Sequence, residues 1–367
     1  MTQEQTTQEE PEISTETEVA AEEEVVEKPH LKGRVLNGVL CVFAFCLLFG
    51  YLFFAGEGAS MIEALANMRI PLLILAALMV VLYWILESAC LQVFSKEMWP
   101  GFAFHKTTIC TVIGQYFNCI TPLSSGGQPF QAYYYYRFGM PLSKSMPMLL
   151  CRFVTYQIAT TTFCALVLIL RLDYFMDDYP HLMTLVVIGF IGGLGLLAAL
   201  LAIALWRTGI ITLVTWAYKL LGKIHIVKDP QASIAKTTKT IDDAYTEVRY
   251  LFTKPKLFAK SVGLTFVQLF EYFSISYVIM LGLGCQGADL LTVIACQAFV
   301  YMISSFVPTP GAMGAAEGSY IAFLGSIYPN ASYVALSTFI WRLLTFYMPI
   351  VVGMIVTVVV NRKQANN

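Results

Sequence analysis

The feature that most constrains this fold is a break rich in proline and glycine that lies between apolar segments. It runs from Phe306 to Gly318 and reads FVPTPGAMGAAEG. Prolines remove amide donors, and glycines adopt backbone conformations that other residues avoid, so an α-helix cannot run through it. At membrane depth the freed backbone groups must be satisfied inside protein or in a water-filled cavity. The break therefore predicts a polar site within the membrane.

A second break of the same kind occurs earlier in the chain. It covers residues 118–129 and reads NCITPLSSGGQP, so both breaks contain a Thr-Pro step followed by glycine. Broken helices at corresponding positions of two halves are typical of secondary transporters and mark their binding sites. The pair predicts one site built from two parts of the chain.

Composition indicates a membrane protein, because the 367 residues are 57% hydrophobic and 13% charged, whereas about 25% charged is usual for soluble domains. Several apolar runs exceed the roughly 18–20 residues that span a bilayer. The predicted fold is all-α and polytopic, with about six full spans and two re-entrant broken-helix hairpins. The predicted spans are 35–56, 70–95, 145–170, 182–206, 257–282 and 332–360. The predicted hairpins are 107–140 and 290–327.

Charge divides the chain into a tail and a membrane domain. Residues 1–27 contain ten Glu and no Lys, Arg or aromatic residue, which predicts a disordered acidic tail. Residues 28–367 form the predicted transmembrane domain. Its basic loop, 207–256, belongs to a polar stretch that ends at residue 260 and holds ten Lys or Arg against four acidic residues. The positive-inside rule places that loop and both termini in the cytoplasm, and apolar spacing predicts a surface helix over 230–252.

The two breaks lie in matching frames. Each follows a span that contains a glutamate, Glu87 or Glu271, and precedes a span that contains an arginine, Arg152 or Arg342. Counting crossings from a cytoplasmic N-terminus gives the two copies opposite orientations, which predicts an inverted repeat. The repeat halves are about 70–170 and 257–361.

Charges within membrane spans are costly, about 2.5–3.5 kcal/mol each, and usually face a partner or an interior. Arg152 and Arg342 either pair with intramembrane carboxylates as structural locks or bind an anionic phosphate head group, whose oxygens fit the guanidinium fork. Helix N-termini after Gly127 and Gly314 would add partial positive charge. Glu317 would engage a cationic group or balance the arginines.

At these residues the sequence resembles the flippase-like transmembrane domain family, which includes the N-terminal membrane domain of lysylphosphatidylglycerol synthases (the MprF-type proteins). The resemblance rests on both breaks together with Arg152 and Arg342. It implies a domain that moves a lipid, in the best-known members an aminoacylated phosphatidylglycerol, between leaflets. The candidate lipid-binding residues are Asn118, Thr121, Pro122, Gly126, Gly127, Gln128, Arg152, Glu271, Pro308, Thr309, Pro310, Gly311, Gly314, Glu317 and Arg342.

Full-length synthases of this type carry a soluble C-terminal domain that transfers an aminoacyl group from tRNA to the lipid. This sequence stops six residues after Asn361, so that transfer is not expected from this chain. The leading hypothesis is a lipid flippase or transporter with a polar midplane cavity, whose partner is its membrane lipid substrate. A phosphatidylglycerol lysyltransferase-type enzyme and a non-transporting partner of such an enzyme remain the alternatives.

Other classes have little support from the residues. The nine cysteines include no Cys-x-x-Cys pair, and the four histidines include no His-Glu-x-x-His motif, so neither a metal nor a cofactor is expected. A nucleic-acid partner is not expected either. A lipid-modifying partner enzyme and a homo-oligomer are left open.

Overall fold

The structure is a computed structural model that describes residue 66 and residues 68–178, 183–223, 230–286 and 289–365. The predicted acidic tail and the predicted first span, 35–56, lie outside the described residues. The described part of the chain is helical and contains no strand. Five of its helices are long and apolar enough to cross a membrane, which confirms the prediction of an all-α polytopic membrane protein.

Thirteen α-helices, numbered along the described residues, make up the fold. The first six are α1 Ile70–Met98, α2 Phe104–Ile120, α3 Gly127–Arg137, α4 Leu142–Leu170, α5 Leu172–Asp178 and α6 Met183–Leu205. The others are α7 Arg207–Lys223, α8 Pro230–Phe252, α9 Pro255–Gly282, α10 Leu290–Ser304, α11 Ala315–Leu324, α12 Ala331–Arg342 and α13 Met348–Ala365.

Two of the sequence predictions differ from these helices. The basic stretch 207–256 is not a loop around one surface helix, because α7 is helical as well. The last span is not a uniform α-helix, because a π-helical segment, Leu343–Tyr347, joins α12 to α13. Pro349 follows this segment, and a proline has no amide hydrogen to donate to the carbonyl one turn earlier. The missing donor accounts for an irregular turn at this point.

The first membrane helix shows how the sequence chooses its buried face. In α1, Ile74, Leu78 and Ile85 are about half exposed, and Val80 and Trp84 are buried. Because these apolar side chains lie all around the helix, one face can pack against protein while the opposite face meets lipid, as expected of a membrane span. The buried face of α1 packs mainly against α9.

Helix α8 contacts the ends of three membrane helices at one end of the bundle. At the end of α1, Glu97 accepts a hydrogen bond of 2.5 Å from Tyr250, and at the start of α4, Lys144 pairs with Glu247. Asp242 accepts a 2.7 Å hydrogen bond from Arg207, the first residue of α7, two residues after α6 ends. That hydrogen bond lowers the pKa of the Asp242 carboxyl. Residues 98, 142 and 205 therefore lie at one end of the bundle, as the crossing count predicts.

The opposite end is held by different contacts. The amide of Arg69, before α1, donates to the carbonyl of Gly282, the last residue of α9, at 2.7 Å. Arg171, after α4, pairs with Asp289, before α10. The first broken segment therefore leaves and rejoins the bundle at the α8 end, and the second does so at the opposite end. An inverted repeat requires this arrangement, although the repeat itself stays a prediction.

Asp289 fixes the start of the second broken segment. Its side chain caps α10 by accepting hydrogen bonds from the amides of Leu291 at 3.0 Å and Thr292 at 3.2 Å. Partial burial acts to raise the pKa of Asp289, but the Thr292 bonds and the Arg171 pair outweigh it and lower the pKa below its ordinary value. The ionised carboxylate is therefore the form that stabilises this end.

We expect Asp289→Ala to lower the free energy of unfolding by about 1–2 kcal/mol, because a helix loses its N-cap and Arg171 loses its partner. The thermal midpoint in detergent, followed by the fraction of monodisperse protein after heating, measures this change. Asp173→Ala is the matched control, since Asp173 is an exposed acid in the first turn of the nearby helix α5. Equal midpoints for the two variants would contradict the capping role.

Candidate functional site

The two breaks begin with the same backbone conformation. Thr121 and Thr309 are extended, with φ of −110° and −100°, and each is followed by a proline. The next two residues of each break have a left-handed φ of 52–59°: Leu123 and Ser124, Gly311 and Ala312. Because non-glycine residues rarely adopt such angles, the shared conformation is imposed by the surrounding structure. The two breaks also contact each other.

Side chains satisfy part of the backbone that the breaks set free. The Thr121 hydroxyl donates to the carbonyl of Phe117 at 2.6 Å and accepts from the amide of Gly126 at 2.9 Å. In the second break, Glu317 accepts a 2.7 Å hydrogen bond from the amide of Gly314. A threonine in one break and a glutamate in the other thus each accept a hydrogen bond from a freed backbone amide. At membrane depth such amides must find a partner within the protein or in a water-filled cavity.

Gly127 allows α2 and α3 to approach closely. A Cβ atom at Gly127 would lie 2.1 Å from Oδ1 of Asn118, on the last turn of α2. A contact this short cannot persist, so any residue other than glycine at this position would force the Asn118 side chain to move. Close packing of α3 against α2 therefore explains the glycine at position 127 of the first break.

A cavity of about 310 Å³ lies where the two breaks meet. Residues of α1, α2, α4, α9, α10 and α12 line it together with both breaks. Six of the candidate residues are in its wall: Asn118, Gln128, Arg152, Thr309, Gly311 and Arg342. Both intramembrane arginines therefore reach one cavity from different halves of the chain.

The other nine candidates support the cavity from outside its wall or lie elsewhere. Thr121 and Gly126 hold the first break by the hydrogen bond between them, and Glu317 holds the second. Those that do not line the cavity are Thr121, Pro122, Gly126, Gly127, Glu271, Pro308, Pro310, Gly314 and Glu317.

Arg152, on α4, is tied to two other helices. Its Nη2 lies 2.5 Å from Oε2 of Glu87 on α1, and it also donates to Oε1 of Gln268 on α9 at 3.1 Å. Its Nη1 donates to Thr265 on α9 at 3.1 Å. Gln268 in turn donates to Glu87 at 2.9 Å. Arg152 is 3% exposed. Its closed network agrees with the first of the two roles that the sequence allowed for the arginines, a structural lock.

Arg342 has fewer partners. Its Nη1 donates to the carbonyl of Gly311 at 3.0 Å, and its Nε lies 2.7 Å from Oε1 of Glu317. Among the described residues, however, neither Nε nor Nη2 has a hydrogen-bond acceptor, so the contact with Glu317 is an ion pair by distance alone. The guanidinium lies over the rings of Trp341 and Phe346, with centroids at 5.0 and 5.4 Å.

Glu271 does not repeat the role of Glu87. It is buried on α9, and neither carboxylate oxygen has a hydrogen-bond partner among the described residues. It also lies outside the cavity wall. The structure thus pairs Arg342 with the glutamate of the break, whereas Arg152 pairs with the glutamate of the preceding span.

Sequence reasoning missed several polar and aromatic residues of the cavity and its networks. The cavity wall contains four tyrosines, Tyr83, Tyr156, Tyr272 and Tyr301, of which Tyr156 and Tyr301 are joined hydroxyl to hydroxyl at 2.7 Å. Their types gave no signal in a chain with 20 tyrosines. Thr265 and Gln268 could have been found, because both are polar residues inside an apolar span.

Comparison with known proteins places this architecture among related chains. A family model described as the lysylphosphatidylglycerol synthase TM region matches residues 38–353, a range that includes both breaks and both arginines. A UPF0104 membrane protein of Archaeoglobus fulgidus is 26% identical over 298 residues, which cover 77% of this chain and 85% of that protein.

Proposed function

Because this chain belongs to the family of lysylphosphatidylglycerol synthase transmembrane regions, we propose that it is a lipid transporter that moves a phosphate-bearing membrane lipid between leaflets. Membership in the family agrees with the resemblance in the sequence motifs. The observation that carries the proposal is the cavity of about 310 Å³ lined by both breaks and by both intramembrane arginines.

The chemistry of the cavity suits a lipid head group. Its wall contains two guanidinium groups, Arg152 and Arg342, beside the neutral polar side chains of Asn118, Gln128 and Gln297. Guanidinium matches the oxygens of a phosphate in charge and shape, and the amides can bond head-group hydroxyls. The lipid head group enters between the two breaks, while the acyl chains stay in the bilayer. Alternating exposure of the cavity to the two leaflets completes the transfer.

The sidedness of this transport follows from the positive-inside rule. Helix α8 and the basic residues around it lie at one end of the bundle, and we assign that end, with both termini, to the cytoplasm. The first broken segment then enters from the cytoplasmic side and the second from the opposite side. The two breaks meet between these two sides, so each half of the chain forms part of the cavity wall.

A leaflet assay tests the proposal. Liposomes containing the full chain and a fluorescent phosphatidylglycerol are treated with a membrane-impermeant reductant, which bleaches only the outer leaflet. We expect the protein to expose inner-leaflet lipid, and we expect Arg152→Ala combined with Arg342→Ala to slow this by about tenfold or more, because the cavity then loses the positive charge that attracts the phosphate. Arg342→Gln alone is a milder second variant.

The control for the leaflet assay is Arg207→Ala, which removes an exposed arginine far from the cavity and is expected to leave the rate unchanged. Unchanged translocation in the double variant at matched protein content would contradict the proposed roles. The enzyme alternative is tested with the same preparation: aminoacyl-lipid formed from aminoacyl-tRNA and phosphatidylglycerol by this chain alone would replace the transport proposal with a transferase.

A further inference from the structure

The two cavity arginines differ in how many hydrogen-bond donors the protein already uses. Arg152 donates from Nη1 once and from Nη2 twice, and only its Nε is without an acceptor among the described residues. Arg342 donates only from Nη1, and both Nε and Nη2 are without an acceptor. In a guanidinium group, Nε and Nη2 lie on one edge and donate in parallel, which is the geometry that two phosphate or carboxylate oxygens fit.

The residue before Arg342 adds a third unused donor. Trp341 lines the cavity, is 5% exposed, and its indole Nε1 has no acceptor among the described residues. Buried donors without partners are uncommon in stable proteins, and each costs about 1–3 kcal/mol. Arg342 Nη2 and Trp341 Nε1 have no partner among the described residues, and Arg342 Nε makes only its ion-pair contact with Glu317, so an acceptor group that enters the cavity would satisfy all three donors.

The backbone at this point is irregular as well. The π-helical segment, Leu343–Tyr347, begins directly after Arg342, and single π-helical turns inside membrane-length helices are frequent at functional sites. An irregular turn widens the helix locally, so that the side chains on either side can change direction with less backbone cost. Arg342 therefore lies beside an irregular turn, whereas Arg152 lies within a continuous α-helix.

Glu317 can release Arg342 without being left unpaired. Its Oε2 accepts the amide of Gly314 at 2.7 Å, and it lies in the first turn of α11, where the helix dipole favours a negative charge. An anion that takes the free edge of Arg342 thus displaces a contact that is close in distance but poorly directed. Displacing Glu87 from Arg152 would instead break a network of several directed hydrogen bonds.

We propose that the cavity binds the anionic group of its ligand through Nε and Nη2 of Arg342 and the indole of Trp341, and that Arg152 is a positioning residue that holds three helices together. The ligand chemistry is a phosphate group with at least two acceptor oxygens. The identification of the phosphate group as part of a membrane lipid rests on the proposed function. The inference assigns the binding role to Arg342 and not to Arg152.

Lipid retention by the full chain in detergent tests the assignment. The protein is incubated with equal amounts of phosphatidylglycerol and a phosphate-free galactosyl diacylglycerol, and native mass spectrometry gives the ratio of the two lipids that remain bound. We expect Arg342→Gln to reduce the bound phosphatidylglycerol, relative to the galactolipid, by about tenfold or more. Trp341→Phe keeps the ring and should give a smaller loss in the same direction.

The Arg152 arm separates binding from positioning. Glu87→Gln combined with Arg152→Gln removes the ion pair without leaving a single buried charge, and we expect its lipid ratio to stay within about threefold of that of the unmodified protein. Arg171→Gln, at the far end of α4, is the matched control. An unchanged ratio in Arg342→Gln, or an equal loss in the Glu87 and Arg152 double variant, would overturn the assignment.

Three further outcomes distinguish the source of the anion and separate the binding site from the proposed function. Displacement of phosphatidylglycerol by inorganic phosphate alone would mean that the site takes the free ion, which contradicts a lipid ligand. Lipid retention that depends on Arg342, together with no translocation in the leaflet assay, would support the binding site and remove the transport proposal. Translocation that is insensitive to Arg342→Gln would support the transport proposal and contradict the binding role of Arg342.

Discussion

Arg152→Ala is expected to lower the free energy of unfolding by about 3–5 kcal/mol, the cost of breaking a buried ion pair by removing one partner. The loss is large because Glu87, whose side chain is 13% exposed, would keep its charge in a partly buried site, with Gln268 as its remaining hydrogen-bond donor among the described residues. The substitution would also remove the hydrogen bonds of Arg152 to Thr265 and Gln268, which join α4 to α9. The midpoint of unfolding by heat or by denaturing detergent measures the effect.

A double-mutant cycle isolates the ion pair from the loss of packing. We expect Glu87→Gln with Arg152→Gln to be clearly more stable than Arg152→Gln alone, because no uncompensated charge then remains buried. Arg207→Ala provides the matched control. That arginine pairs with Asp242, but both side chains are more than a third exposed, and exposed pairs contribute about 0–1 kcal/mol. A loss in Arg152→Ala no greater than in Arg207→Ala would rule out a structural lock.

Gly311→Ala is expected to destabilise the protein by about 2–4 kcal/mol, since a well-packed site must accept an extra carbon atom and a left-handed conformation that disfavours side chains. A Cβ at Gly311 would lie 2.0 Å from Cε2 of Phe346. The carbonyl of Gly311 accepts the hydrogen bond of Arg342, so movement of this backbone would also disturb the cavity wall.

The contact with Phe346, more than the backbone angle, sets the requirement for glycine at position 311. Leu123 occupies the corresponding place in the first break with φ of 53°, and its side chain is 55% exposed. We therefore expect Phe346→Ala to recover part of the stability lost in Gly311→Ala. Gly318→Ala is the control, because no atom lies within 4 Å of its added Cβ. Equal midpoints for Gly311→Ala and Gly318→Ala would contradict this account.

Much of the fold could be predicted because membrane spans are set by local composition. The predicted spans 70–95 and 257–282 lie within α1 and α9, and both breaks occur at the predicted Thr-Pro steps. Helix α7 was missed because its polar residues are spread among apolar ones, in a stretch too short to span. The π-helical segment was missed because the sequence shows a proline within a long apolar run but does not show which irregular turn the helix adopts around it.

The candidate site was predictable in its location but not in its division of labour. The sequence left open which intramembrane carboxylate each of the two arginines would pair with. In the structure, Glu87 pairs with Arg152, whereas Arg342 lies next to Glu317. Position along the chain cannot reveal this difference, because the choice depends on which carboxylate the folded helices bring within about 4 Å.

By itself, the sequence determined that this protein is an all-α membrane protein whose two breaks need a polar interior. Hydrophobicity over a span and the loss of amide donors at proline are local properties, and a bilayer leaves few ways to satisfy them. Only the tertiary structure decided that both breaks line one cavity, that Arg152 is held by three acceptors, and that Arg342 keeps donors unused. These properties depend on directed contacts between distant residues, which the order of residues does not encode locally.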